Sequence, residues 1–272
     1  LKSAYSGAHF KLLMVLTYWL LSSLYHLKFS LFIVNPINTP WGEVTLKHYG
    51  NPLFFVSLLV LCCFLLWRIK QTQQLIKSSL FWLLWFFAIY LNNHYLMATP
   101  IENIHFIQYA LLSWLLLKIF YQAGKNQIGK ILFWTTTLGM LDEILQYFYI
   151  TKSYSSYLDF NDFLINLVAA IGGILVFFSY RNFQADELSI RSIIKSWEFK
   201  LSLFLGGSFA ILIISAVLDI ERKAHSFGAW LPDFFNGQYY VLAPLEGLSL
   251  MLITALIFIP FFTRIRYPFP AD

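Results

Sequence analysis

Two adjacent carboxylates, Asp142 and Glu143, stand in the stretch LGMLDEILQYFYI, residues 138–150, among Leu, Ile, Phe and Tyr. On a helix Asp142 shares a face with Gln146 at i, i+4, while Glu143 is turned roughly 100° away. A second stripe, YLDFNDFLIN, aligns Asp159, Asp162 and Asn166 at i, i+3 and i+7. A third, IENIHFIQYALLSW, aligns Glu102, His105, Tyr109 and Ser113, and YLNNHYL adds Asn92, Asn93 and His94. The chemistry on offer is proton transfer. Burial and a neighbouring carboxylate hold one acid protonated while another ionises, which suits general acid and base roles.

The elements that must position these residues read as helices in lipid. Of 272 residues 58% are hydrophobic and 12% charged, far from a soluble average. Apolar runs recur at roughly 12–34, 53–69, 79–97, 103–121, 130–150, 160–180, 201–218 and 241–263, each near the length that crosses about 30 Å of hydrocarbon. Runs such as LLVLCCFLLWRI are apolar all round, which disfavours the alternation of a barrel strand. The first run is too long for a signal-peptide core and lacks a small-residue cleavage site, so it is expected to stay attached. If the runs alternate across a bilayer, 14 of the 19 basic residues fall on one side, which puts both termini in the cytoplasm. The net charge of +5 is then a topology signal, and no basic patch suggests a nucleic-acid partner.

The fold expected is therefore an all-α integral membrane bundle of about eight transmembrane helices. It divides into an N-terminal helix pair (1–78), a four-helix core (79–180), and a connector with a C-terminal pair (181–272). The polar segment 181–200 reads as a solvated cytoplasmic connector. Cys62 and Cys63 are neighbours in one run and read as small core residues. Gly172 and Gly173 invite a close helix contact.

On that topology four consecutive helices bring their polar residues to one level, facing the periplasm. A carboxylate near the middle of a spanning helix costs about 2.5–3.5 kcal/mol. Interhelical hydrogen bonding would account for one Asn or Gln, and Tyr109 or Ser113 taken singly reads as packing. Two adjacent carboxylates, two more Asp residues and a His exceed what fastening requires.

PIENIHFIQYALL (100–112), LDEILQYF (141–148) and DFNDFLINLVAAIGG (159–173) together resemble the VanZ family of bacterial membrane proteins, named for a teicoplanin-resistance protein. The resemblance covers about residues 79–180. Its pattern is His with Tyr four residues on, then Asp-Glu-x-x-Gln, then Asp-x-x-x-Asn before glycines, matched by His105, Tyr109, Asp142, Glu143, Gln146, Asp162, Asn166, Gly172 and Gly173. The family often has Arg after the Gln, where the nearest base here is Lys152, and often Glu where this chain has Gln108. Lysine supplies charge without the guanidinium fork. The resemblance implies a multi-pass protein of the bacterial inner membrane with a role in the cell envelope, lipid metabolism or antibiotic resistance.

The leading functional expectation is an outer-face enzyme that hydrolyses or exchanges the head group of a phosphate-containing lipid or lipid-linked envelope intermediate. Asp142 or Glu143 reads as base, His105 as acid or orienter, and Asp162 as its partner. Gln146, Asn166, Tyr109, Glu102, Asp159 and His94 would bind substrate, and Lys152 would meet its phosphate. No zinc spacing, phosphate loop or nucleophile elbow is present. A divalent cation such as Mg²⁺ or Mn²⁺ on Asp142, Glu143, Asp162 and Asn166 is the lesser alternative, with no metal residue assigned. A transporter or flippase is the runner-up, disfavoured by the absence of visible repeats. A silent binder of a lipid-linked substrate or glycopeptide-type drug is the third reading. Glu246, after an aromatic outer loop, reads as part of an interfacial anchor or as a lid residue, and His26 as an interhelical partner.

Overall fold

The computed structural model describes residues 10–25, 75–120, 128–150, 158–179, 227–232 and 237–264, together with single positions at 55, 56, 58–60, 62, 63, 67, 200 and 214. Lys152, His26, most of the second run, and nearly all of 181–226 lie outside the described residues.

Five helices carry the described structure ahead of a small hairpin: α1 (10–25), α2 (Leu75–Tyr95), α3 (Ile104–Phe120), α4 (Ile128–Leu145) and α5 (Phe160–Ser179). A short 3₁₀ turn, Pro100–Asn103, leads into α3, and α4 runs on into a π-helical turn, Gln146–Ile150. Strands β1 (Ala229–Pro232) and β2 (Gln238–Val241) form an antiparallel hairpin that pairs Ala229 with Val241 and Trp230 with Tyr240, and α6 (Pro244–Arg264) follows. Gly228, at a φ of 64°, supplies the left-handed residue that opens β1.

Helix α5 is the hub. It packs against α2, α3, α4 and α6, and its described side chains from Phe163 to Leu175 are almost all buried. Its sequence explains why it can sit in the middle. A β-carbon on Gly173 would run into the Ala110 carbonyl and Ser113 Oγ of α3, and one on Gly172 would run into the Trp85 ring of α2. Gly173 thus lets α5 approach the backbone of α3, and Gly172 makes room for the Trp85 ring of α2. Trp85 Nε1 donates to the Val168 carbonyl at 2.8 Å, tying α2 to α5.

Capping residues fix where the helices begin. Asp159 precedes α5, and its Oδ1 accepts from the Asn161 N–H (2.8 Å) and the Asp162 N–H (3.4 Å). Glu102 accepts from the backbone of Thr99 (2.9 Å) and Ala98 (3.1 Å) and from Thr99 Oγ1 (3.1 Å), a capping box on the turn before α3. Glu246 does the same for Ala243 N–H (2.9 Å) at the head of α6, behind Pro244 at the first helical position.

The expectation of eight membrane-spanning helices is corrected here. Among the described residues no helix is long and apolar enough to cross a membrane. Helix α3 has 17 residues, about 26 Å, and α4 carries Lys130, Asp142 and Glu143 within its 18. The described helices α2–α6 and the apolar runs have nearly the same bounds, as α5 (Phe160–Ser179) and the run 160–180 do, so the sequence locates the helices without fixing that they cross a membrane. The assignment of both termini to the cytoplasm depends on those spans and falls with them. The part of the expectation that concerns helix over strand agrees with α1–α6, apart from the small hairpin.

Candidate functional site

Helices α3, α4 and α5 bring His105, Tyr109, Asp142, Glu143, Gln146, Asp162 and Asn166 into one polar centre. Asp142 points to α3 and Glu143 to α5, as their 100° separation around α4 requires.

On the α3 side, Tyr109 OH donates to Asp142 Oδ2 at 2.5 Å and Gln108 Nε2 reaches the same oxygen at 3.4 Å. Gln146 Nε2 donates to Asp142 Oδ1 at 3.2 Å. Gln146 opens the π turn, where the wider winding re-aims side chains; such turns occur often at functional sites. Asp142, fully buried, is thus met by three donors and anchors the wall of the centre.

On the α5 side the arrangement differs. Asn166 Nδ2 donates to Glu143 Oε1 at 3.1 Å, which turns its Oδ1 toward His105 Nδ1 at 2.9 Å. An amide oxygen only accepts, so Nδ1 carries the imidazole proton and Nε2 presents its lone pair. That lone pair lies on the side of Asp162, whose Oδ2 is 3.9 Å away, and Glu143 Oε1 lies 4.0 Å from Nδ1. Buried Asp162 Oδ1 has no hydrogen-bond partner among the described residues. His105 stacks parallel to Tyr109, with ring centroids 6.1 Å apart.

Burial sets the protonation of the group. It pushes Glu143 well above the usual carboxylate range, with the charges of Asp162 and Asp142 adding to it. Asp162 is pushed up to about 7, by burial first and then by Asp142. Burial lowers His105, against the opposing pull of Asp142 and the Asn166 bond, so the imidazole is neutral at pH 7. Tyr109, raised by burial and by Asp142, remains a donor.

The other residues expected at the site take different places. Glu102 and Asp159 are the caps described above, both half-buried at the rim; the charge of Asp159 is felt at Glu143, and burial, then Asp162 and Asp159, push Glu102 well above the usual carboxylate range. His94 stacks on Tyr90 and meets Tyr95 edge-on, in an aromatic group that continues to Trp230. Lys152 lies outside the described residues. Glu246 accepts from Tyr240 OH at 3.1 Å and caps α6.

Several contributors carry little signal in the sequence. Tyr18 OH donates to the Gln108 carbonyl at 3.0 Å, Trp19 Nε1 to the Leu138 carbonyl at 3.0 Å, and Ser22 Oγ receives Gln108 Nε2 at 3.3 Å. Tyr18 and Ser22 lie one turn apart, a faint mark in an apolar run. Asn161 is visible inside YLDFNDFLIN. It donates to the Leu96 carbonyl (2.8 Å) and the Tyr240 carbonyl (2.7 Å) and accepts from Leu242 N–H (2.9 Å), joining α2, the hairpin and α5.

No family model matches the chain, and no curated protein and no solved structure matches it either. The expected transmembrane-helix character is corrected by the helices themselves. The VanZ-like, cell-envelope and antibiotic-resistance roles, which come with the resemblance alone, are withdrawn, since no relative carries them to this chain.

Proposed function

We propose that the chain is an enzyme that hydrolyses or exchanges the head group of a phosphate-containing lipid at the centre formed by His105, Glu143 and Asp162. One observation carries the reading. A neutral imidazole, fixed in one tautomer by Asn166, lies in a largely buried polar cluster with two carboxyls that hold their protons to unusually high pH. Three such groups can take a proton from an attacking hydroxyl and return one to a leaving oxygen near neutral pH. Asn166 positions His105 and Glu143, and Asp142, held by Tyr109, Gln108 and Gln146, fixes α4 against α3.

A lipid suits the surroundings. Leu83 and Phe87 of α2, Ile107 of α3, and Leu245, Leu252 and Leu256 of α6 are exposed, far more large apolar surface than a water-facing protein usually shows. Acyl chains resting on these faces would leave the head group at the half-buried rim beside Asp162.

Lipid mass spectrometry on membranes from cells expressing wild type, Glu143→Gln and His105→Gln, matched for abundance, tests the proposal. A head-group product made by wild type and reduced about 10²-fold or more in both variants is expected. Identical lipid profiles in all three, or a product that persists in both variants, would overturn it.

A further inference from the structure

Once Glu143 and Asp162 release their protons, as ligation of a cation requires, the α5 side of the centre has acceptors facing acceptors. Asn166 supplies its amide protons to Glu143 and takes the Nδ1 proton of His105. His105 Nε2 lies 3.9 Å from Asp162 Oδ2, Glu143 stands on the other side of the ring, and Asp162 Oδ1 is buried and unpartnered among the described residues. One ligand atom from each of His105, Glu143 and Asp162 lies within 4.8 Å of the others. Around an ion at about 2.0–2.2 Å such atoms stand roughly 3–4 Å apart, which small side-chain rotations reach.

We propose that His105 Nε2, Glu143 and Asp162 hold a divalent transition-metal ion of the Mn²⁺ or Zn²⁺ class. A metal-binding histidine characteristically donates its other ring N–H to an oxygen that sets its tautomer and orientation; Asn166 Oδ1 does that here. An imidazole nitrogen among the ligands favours these ions over Mg²⁺ and Ca²⁺, which prefer all-oxygen sites. Unlike the all-oxygen set suggested by the sequence, this one omits Asp142, whose oxygens are met by Tyr109, Gln108 and Gln146.

The ion deepens the proposed reading, and its consequence for phosphate rests on that reading. The rim beside Asp162 carries Glu102, which burial holds toward its neutral form, and Asp159, so neither offers an arriving phosphate a positive charge. A bound dication supplies that charge and polarises the phosphoryl oxygen.

The test uses the full chain, stripped with a chelator and titrated with Mn²⁺ alone, read by electron paramagnetic resonance for stoichiometry and for ¹⁴N coupling. One Mn²⁺ per chain with nitrogen coupling is expected, displaced by Zn²⁺ and not by an equal concentration of Mg²⁺. His105→Gln abolishes the coupling, and His105→Gln and Asp162→Asn each weaken binding at least about tenfold. Glu246→Gln, at the cap of α6, where the carboxylate meets Tyr240 and Ala243 and none of the three ligands, changes neither. The absence of saturable Mn²⁺ or Zn²⁺ binding to wild type overturns the proposal, as does Mn²⁺ bound without nitrogen coupling. Both of these outcomes are read on wild type, so they decide the matter whether or not every variant folds. Because no lipid is present, the ion can bind even where head-group turnover fails, and the two proposals fall separately.

Discussion

Two groups of carboxylates and asparagines stand close together in this bundle and are used in opposite ways. Glu102, Asp159, Asn161 and Glu246 direct their polar atoms at backbone. They cap the turn before α3 and the heads of α5 and α6, and they bind the carbonyls and N–H groups where the hairpin meets α2 and α5. His105, Glu143, Asp162 and Asn166 face one another through side chains, with more acceptors than donors once the two carboxyls ionise. In the first group every carboxylate is answered by a donor the fold would otherwise leave unsatisfied. In the second, side chains are buried without a full set of donors around Asp162, which is the mark of a centre kept for chemistry rather than fastening. Donor balance, more than residue type, separates the two.

The separation breaks most sharply on activity. His105→Gln is expected to lower head-group turnover by about 10²–10⁴-fold while its melting temperature stays within a few degrees of wild type, because the amide keeps the Asn166 contact and removes the Nε2 lone pair, whether that lone pair takes a proton or holds the ion. Turnover assays paired with thermal melts on the same preparation check this. A variant that loses stability and activity together would move His105 into the fastening group.

Asn161→Leu is the counterpart. It strips partners from the Leu96 and Tyr240 carbonyls and the Leu242 N–H, the last on a residue that is only 4% exposed. At about 1–3 kcal/mol for each buried group left unsatisfied, the loss should be about 3 kcal/mol or more in denaturant unfolding. A loss under about 1 kcal/mol would show that the hairpin does not depend on this side chain.

Gly173→Ala probes the hub that holds the second group together. The added methyl meets backbone and Ser113 on α3, so α3 and α5 must part, at about 1–3 kcal/mol. Since the separation carries His105 away from Asn166, turnover falls further than stability alone accounts for. Matched unfolding and turnover measurements would detect the excess, and its absence would mean that the strain is absorbed elsewhere.

How much of this is legible in the sequence differs between the two groups. Helical spacing places Asp142 and Gln146 on one face, Glu143 on another, and Asp162 with Asn166, because a 3.6-residue period acts within one helix and needs no tertiary knowledge. It does not distinguish Asp162 from Asp159, three residues earlier on the same stripe, since only the start of α5 makes one a cap and leaves the other inside. The same holds for Glu102 against His105. Tyr18 and Ser22 lie more than 80 residues from Gln108 in the chain, and no local pattern announces such a contact. Helix extent is legible, since the apolar runs and α2–α6 nearly coincide; whether such helices cross a membrane is not, because apolar composition serves a packed bundle as well.

The pH dependence of stability is the most diagnostic of protonation. In chelator-stripped protein Asp162 titrates near 7, well above the ordinary aspartate range near 3.9 of an unfolded chain. Below about pH 4 both states hold the proton and the residue contributes no slope. Between about 4 and 7 the unfolded chain releases a proton that the folded chain keeps, so wild-type stability falls as pH rises and levels off above about 7. Asp162→Asn removes that fall. Its melting temperature relative to wild type should therefore be higher at pH 8 than at pH 4, by on the order of 2–4 °C for each 1 kcal/mol of slope removed. Asp159→Asn, which alters a cap whose Oδ1 is met by backbone N–H groups, should show no such rise at pH 8. Equal pH profiles for the two variants would erase the distinction between the groups, because the buried carboxyl would then release its proton in the folded chain no later than the cap does.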